Sequence, residues 1–284
     1  MPHTYGQALR SAAERLRASG VPSPELDARL MAAHLIHTGH MDIPLHEKPM
    51  PGFDVAYEAL VSRRERREPL QHVLGVAWFG PLELEVGPGV FIPRPETEVL
   101  AEWAVRSLRA ASAASGAPLV VDLCTGSGAL AAYIAHEVPN TRVYAVELSD
   151  AAFSYAQRNL ADSGVTLIQG DVTDPEILAE LNGSVDLIVT NPPYVPETDD
   201  LEPEVYADPH EAVFSGADGM TLIRQMVPTV SRLLKPCGRV GIEHDDTTSS
   251  LVQAALHEAG GFTAIQPLTD LTGTPRFVTA LRDE

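Results

Sequence analysis

Residues 186–197 read DLIVTNPPYVPE. An apolar run ends at Thr190, and an amide, two prolines and an aromatic ring follow it. A turn needs one proline at most, so Asn191, Pro192, Pro193 and Tyr194 read as a site. The Asn191 side-chain oxygen and the Pro192 backbone carbonyl are hydrogen-bond acceptors. The two prolines restrict the backbone, so both acceptors are preplaced. Tyr194 can stack on a planar group. Such a set suits attack by an NH2 with a delocalised lone pair on an electrophilic methyl group. A general base helps little before that attack, because the NH2 is far too weakly acidic. Holding the nitrogen in line and accepting its hydrogens does help, since both acceptors bind more strongly as positive charge grows. A rigid strand-end loop without chemistry is the plainer alternative.

A second stretch weighs against that alternative. VVDLCTGSGAL (120–130) reads as a strand, a tight glycine turn and a helix. Gly126 and Gly128 let the backbone approach a ligand closely. The spacing is shorter than the dinucleotide fingerprint, and no Lys-Ser/Thr pair follows, which excludes a P-loop. The carboxylate of Asp122 repels phosphates and suits a cationic or zwitterionic ligand. Glu147 ends the next strand, where an acid can take both hydroxyls of a ribose. Asp171 ends the third, within reach of an adenine edge. Each position lies at the carboxyl end of a parallel strand, where ligands bind in open α/β sheets. One such motif alone would match an ordinary turn with surface acids; three in register point to a ligand crevice.

The elements that must position these residues follow from periodicity. Residues 4–75 read as helices: one stopped by Gly20, one with Ser23 as cap and Pro24 at its first position ending at Gly39, and one from Phe53 towards Pro69. Short connections imply an antiparallel bundle. A hairpin is expected near 78–92, then a helix over 95–110, and RAASAASGAP (109–118) as a flexible spacer. Strands at 118–123, 142–148, 165–171 and 185–191 alternate with helical stretches, DPEILAELNG being helix or loop. GMTLIRQMVPTVSRLLKPCG reads as a helix that ends at its glycine, with Pro228 able to kink it. A strand, RVGIEH, a helix and a terminal hairpin complete the chain. Such alternation gives a doubly wound parallel sheet covered on both faces.

Composition sets limits. The net charge of −19 lies wholly beyond residue 75: residues 1–75 hold nine Lys/Arg and nine Asp/Glu, the rest 11 against 30. Broad contact with nucleic-acid phosphates is disfavoured there. The acidity suits a basic partner, or serves only solubility. No apolar run approaches a bilayer span and the start lacks a signal-peptide core, so a cytoplasmic protein is expected. Two distant cysteines, Cys124 and Cys237, argue against a disulfide framework and a cysteine-built zinc site.

Together DLCTGSGAL, AVELS, QGDV and TNPPY resemble the motifs of class I S-adenosylmethionine-dependent methyltransferases, in the branch that methylates amino groups. REPLQHVLG, FIPRPETEVL, DPHEAVFSGADGM, GIEH and RFVTALR narrow the resemblance to the release-factor glutamine methyltransferases, over nearly the whole chain. The resemblance implies a Rossmann-like seven-stranded α/β sheet (96–284), a helical substrate-recognition domain (1–75) and a β-hairpin linker (76–95). It implies methyl transfer from S-adenosylmethionine, leaving S-adenosylhomocysteine, to the glutamine N5 of the Gly-Gly-Gln motif in peptide-chain release factors. Asp122, Cys124, Thr125, Gly126, Ser127 and Gly128 would cradle the cofactor's methionine part, Glu147 its ribose, and Asp171 and Val172 its adenine. Asn191, Pro192, Pro193 and Tyr194 would hold the glutamine amide, with Asn191 also beside the cofactor and Asn191, Pro192 and Tyr194 as the catalytic set. Phe91, Arg94 and Glu96 would line the substrate pocket, Arg94 and Glu96 orienting rather than reacting. No metal, membrane or nucleic-acid partner is expected, and a monomer is. Cys124 stands where many members have glycine, and Val172 where some have an aromatic ring. Glutamine methylation of a ribosomal protein, adenine-N6 methylation, or a nucleotide-sensing module without methyl transfer are the competing readings.

His34, His37 and His40 could form a metal face, but Gly39 interrupts the helix, which favours solvated or capping histidines. RRERRE (63–68) reads as a solvated helix end with cations at the favourable terminus. ETDDLEPEVYADPHE (197–211) carries seven acids and no Lys or Arg, and is expected to guide a basic substrate loop.

Overall fold

The computed structural model describes residues 4–111, 116–198, 200 and 203–284. These fall into two compact units, one running to Val76 and taking in a later segment that ends at Ala207, the other holding the rest from Ala77. The centre of the expected spacer at 109–118 lies outside the described residues.

The first unit contains α1 (Tyr5–Ala18), α2 (Pro24–Ile36), α3 (Phe53–Glu65) and α4 (Leu70–Leu74). Thr4 and Gln7 close a reciprocal capping box on α1. Leu16, Ala28, Met31, Phe53, Tyr57 and Val61 form the core. Phe53 meets Tyr5 edge-on at 4.8 Å and stacks on Tyr57 at 4.9 Å. The Tyr57 hydroxyl donates to the Ala28 carbonyl at 2.9 Å, so its polar tip is satisfied inside. Two expectations need correction. α2 ends at Ile36, before Gly39, because His37 itself adopts the left-handed turn at φ 51°. The stretch between α2 and α3 is long, not short.

The RRERRE stretch is also misread as a solvated face. Arg64 follows Tyr57 and Val61 at helical spacing, so it points inward with them and is only 5% exposed. Its guanidinium pairs with Asp27 at 2.7 Å and Glu204 at 3.0 Å, and Arg67 reaches Glu204 at 2.6 Å. Arg63 pairs with Glu68 and donates to the carbonyls of His72 and Val73. A chain segment from beyond the Asn191–Tyr194 stretch is thereby held into the helical unit.

A hairpin of β1 (Val76–Phe79) and β2 (Leu82–Glu85), shorter and earlier than expected, starts at the last residue of the first unit and leads into the second, where α5 (Thr97–Ala111) follows. β3 (Leu119–Leu123), α6 (Ala129–Glu137), β4 (Arg142–Glu147), α7 (Asp150–Asn159), β5 (Thr166–Gln169) and β6 (Val185–Thr190) alternate as the sequence predicts. The DPEILAELNG stretch is turns and one short 3-10 segment, Ala179–Leu181. α8 (His210–Val213), α9 (Thr221–Leu233), β7 (Leu234–Glu243), α10 (Ser249–Ala259), β8 (Phe262–Thr269) and β9 (Pro275–Arg282) follow. The expected helical tail LKPCG is instead the start of β7. Pro236 cannot extend a helix, Cys237 takes a positive φ of 61°, and the β6–β7 register shifts between Val185↔Leu234 and Leu187↔Arg239.

Seven strands form one sheet in the order β5-β4-β3-β6-β7-β9-β8. The first five are parallel, and β9 runs antiparallel to both neighbours. β3 and β6 are buried on both faces, hence their continuous apolar runs. Alternation sends Val121, Leu123 and Ile188 into one core with Met220 and Ile223, and Val120 and Leu187 into another with Leu100 and Ile134. The strand order reverses between β3 and β6, which opens a crevice at their carboxyl ends. Among the described residues no helix is long and apolar enough to cross a membrane.

Candidate active site

The glycine loop lies at the end of β3. Cys124, Gly126 and Gly128 all take positive φ values, 60°, 59° and 88°. A side chain at Gly126 would meet nothing within 4 Å, so its backbone faces open space. A Cβ at Gly128 would press on Leu160 at 3.0 Å, so that glycine serves packing. Asp122 is fully buried beneath the loop. Its Oδ2 accepts from Thr125 Oγ1 at 2.5 Å and from the Ala131 N–H at 3.1 Å, while Oδ1 has no partner among the described residues. Burial pushes its pKa up to about 7 against those two donors.

Glu147 ends β4 and binds the loop from the other side. Its Oε2 accepts from the Gly126 N–H and its Oε1 from the Ser149 N–H, each at 2.8 Å. Each oxygen keeps a lone pair beyond those bonds. Ser127 is buried, and Asn159 donates to its carbonyl. The Cys124 thiol is pushed up by burial and then by Glu147 and Asp122, conditions opposite to those of a nucleophile. Asp171 is exposed and accepts from the Thr173 N–H at 2.8 Å and hydroxyl at 2.7 Å, while Val172 is buried in the core. Leu148, directly after Glu147, is 63% exposed and puts an apolar surface beside these acids.

Asn191, Pro192, Pro193 and Tyr194 follow β6. Asn191 donates through Nδ2 to Thr97 Oγ1 at 3.2 Å, which leaves Oδ1 without a protein donor among the described residues. The Tyr194 hydroxyl donates to Glu243 Oε1 at 3.0 Å, and burial raises its pKa well above normal. Behind the loop, Gly219 is indispensable: a Cβ there would stand 2.1 Å from the Tyr194 carbonyl oxygen. Val195 bridges Phe214, which fixes the loop's exit.

The FIPRPETE stretch enters the site through Asp208. The Arg94 guanidinium lies 5.1 Å from the Phe91 ring centroid and pairs with Asp208 Oδ2 at 2.5 Å. The Ile92 N–H donates to Asp208 Oδ1 at 3.2 Å. Burial pushes the Asp208 carboxyl up to about 6, against Arg94. Glu96 is exposed at the start of α5.

This arrangement alters the expectation for the acidic segment. Glu204 and Asp208 hold arginines, and Glu197 meets His210 at 3.2 Å. Asp199 and Glu202 lie outside the described residues. Glu204 and Asp208 are thereby engaged by arginines of the protein itself and are not free to meet a basic partner. Sequence reasoning also missed Thr97, Glu243, Asp208 and Leu148. Glu243 carried a readable signal, since it ends the apolar run of β7 much as Glu147 ends β4.

Two family descriptions match this chain: the PrmC N-terminal domain over residues 7–75 and the methyltransferase small domain over 102–212. The chain is 57% identical to the release factor glutamine methyltransferase of Corynebacterium glutamicum, covering 98% of each chain. It is 49% identical to the protein of the same name from Mycolicibacterium smegmatis, covering 97% of this chain and 96% of the relative. Among solved structures, the human Mettl16 catalytic domain, crystallised with an RNA hairpin, superposes with a TM-score of 0.53 at 12% identity over 81% of each chain, a likeness of fold alone.

Proposed function

This chain belongs to the release factor glutamine methyltransferase family, and from that premise we propose which of its residues carry the reaction. The reaction is transfer of a methyl group from S-adenosylmethionine to the side-chain amide nitrogen of the Gly-Gly-Gln glutamine in peptide-chain release factors. One observation carries the assignment of the acceptor side: Nδ2 of Asn191 is engaged by Thr97, so Oδ1 is the atom left to face the crevice. An acceptor there suits an incoming NH2 and no other end of a primary amide.

The residues fit the methyl donor. Gly126 leaves open space above the loop, and Asp122 Oδ1 is a buried acceptor without a partner. Carboxylates at Asp122, Glu147 and Asp171 favour a cationic sulfonium and disfavour phosphates. We assign the methionine part to residues 122–128, the ribose hydroxyls to Glu147, and the adenine to Asp171, Val172 and the exposed face of Leu148. When bound, the cofactor supplies an electrophilic methyl group. Asn191 Oδ1 and the Pro192 carbonyl accept the two hydrogens of the glutamine amide and strengthen as charge grows on nitrogen. Tyr194 packs on the amide plane, and Phe91, Arg94 and Glu96 shape the approach.

We further assign release-factor recognition to residues 1–75, the join to 76–95 and the chemistry to 96–284, the enzyme acting as a single chain in the cytoplasm. An adenine-N6 reaction would need a basic cleft, whereas all of the net charge of −19 lies beyond residue 75. Asn191→Ala tests the assignment. It should keep cofactor affinity and lose turnover on a release factor by at least ~100-fold, the scale of one lost charge-stabilising group. Turnover within a few fold of wild type would remove Asn191 from the catalytic set.

A further inference from the structure

One buried carboxylate stands behind both members of the amide clamp. Glu243 is 1% exposed at the carboxyl end of β7, the strand next to β6. Its Oε1 accepts from the Tyr194 hydroxyl. The Thr97 hydroxyl faces the same carboxylate and stabilises its charged form. Oε2 is buried and has no hydrogen-bond partner among the described residues. Thr97 is 4% exposed, and its Oγ1 meanwhile accepts from Asn191 Nδ2. A hydroxyl has a single proton, and among the described residues Thr97 gives its own to no other acceptor. The Glu243 carboxylate is the place for it.

We propose that Glu243 and Thr97 are positioning residues that set the polarity of the Asn191 amide: ionised Glu243 takes the Thr97 proton, Thr97 must then accept from Asn191 Nδ2, and Oδ1 is left for the substrate NH2. This rests on the methyltransferase reading and deepens it. Protonated Glu243 donates instead of accepting. Thr97 can then turn its proton to Asn191, the amide flips, and its NH2 opposes the NH2 of the substrate. A primary amide has nearly the same shape either way round, so the hydrogen-bond chain alone decides.

The groups facing Glu243 place the switch in a useful range. Burial pushes its carboxyl up to about 7. The hydroxyls of Thr97 and Tyr194 oppose the rise, Glu96 at the start of α5 adds to it, and Arg276 on β9 opposes it. His244, next on β7, has its pKa lowered by burial, and its Nδ1 meets the Asp245 carbonyl at 2.7 Å. Asp122 beneath the glycine loop titrates in the same range, so a pH profile needs the Glu243 variant beside it.

The experiment has two readouts on the full-length protein. The side-chain NH2 resonance of Asn191, assigned by its loss in Asn191→Asp, is followed by NMR without substrate from pH 6 to pH 8. It should shift through the Glu243 titration in wild type, stay pH-independent in Glu243→Gln, and move to a solvent-like position in Thr97→Val. Turnover on a release factor at saturating cofactor should rise about tenfold over that range in wild type, as a group near pH 7 ionises. Glu243→Gln and Thr97→Val should each lose at least ~30-fold in kcat, with cofactor Kd within twofold. Thr97→Ser should restore wild-type behaviour, and the double variant should be no worse than either single one. An Asn191 resonance indifferent to both substitutions overturns the proposal whatever the substrate. A responsive resonance without release-factor turnover in wild type would uphold the relay and defeat the substrate reading.

Discussion

Arg64→Met removes the cation at the centre of the helical unit and leaves a hydrophobic stem of similar length. Asp27 then sits 6% exposed with no guanidinium to pair with, while Glu204 keeps Arg67. Breaking a buried pair from one side costs about 3–5 kcal/mol. Protonation sets a ceiling on that cost. A carboxyl with a reference pKa of 3.8 needs ~4 kcal/mol to be protonated at pH 7 and ~1.6 at pH 5, at 1.36 kcal/mol per unit. The sign follows from linkage. Burial already raises the Asp27 pKa, Arg64 opposing it. Without Arg64 the folded pKa climbs further, so the variant binds a proton in the folded state that the unfolded chain has released. Its deficit against wild type therefore grows as pH rises. We expect a loss of about 3–4 kcal/mol at pH 7, shrinking to about 1.5 at pH 5. Hydrogen-exchange protection of α2 and α3 reads the helical unit by itself, avoiding the assumption that two units unfold together. A deficit under 1 kcal/mol, or one equal at both pH values, would refute a buried charged Asp27–Arg64 pair.

Two other outcomes follow from the site. Iodoacetamide at pH 8 should label Cys237 well ahead of Cys124 in the native protein, because Cys237 is exposed while Cys124 is only partly so and desolvation and neighbouring acids suppress its thiolate; Cys124→Ala should keep turnover within about threefold, and a larger loss would give the thiol a role in the reaction. Gly126→Ala should cost the fold only about 1 kcal/mol for its left-handed conformation, since the new methyl meets nothing within 4 Å among the described residues, yet weaken S-adenosylmethionine binding at least ~tenfold on the scale of one lost close approach; unchanged affinity by calorimetry would move the cofactor off this loop.

The parallel sheet and its crevice were legible because β3, β4 and β6 are apolar runs bounded by glycine, proline and capping residues. Boundaries failed where a single residue outweighed composition. His37 ends α2 in a left-handed turn that glycine usually takes, and Cys237 lets KPCG enter a bulged strand. The loop residues at the site were visible as types that ordinary turns do not need. Their supports were not. Thr97, Asp208 and Glu243 act across long sequence separations, and nothing local marks which acid of a run will be buried. Arg64 shows the same limit in reverse. A run of arginines reads as solvated until the spacing from Tyr57 and Val61 is followed inward.

This chain methylates the amide nitrogen of one glutamine in a release factor. Radiolabelled S-adenosylmethionine should be offered to a purified release factor, to the same factor with its Gly-Gly-Gln glutamine replaced, and to duplex DNA. Label on the intact factor alone, mapped by mass spectrometry to that glutamine, is the predicted result. Label that persists after the glutamine is replaced, or that appears on DNA, would contradict it.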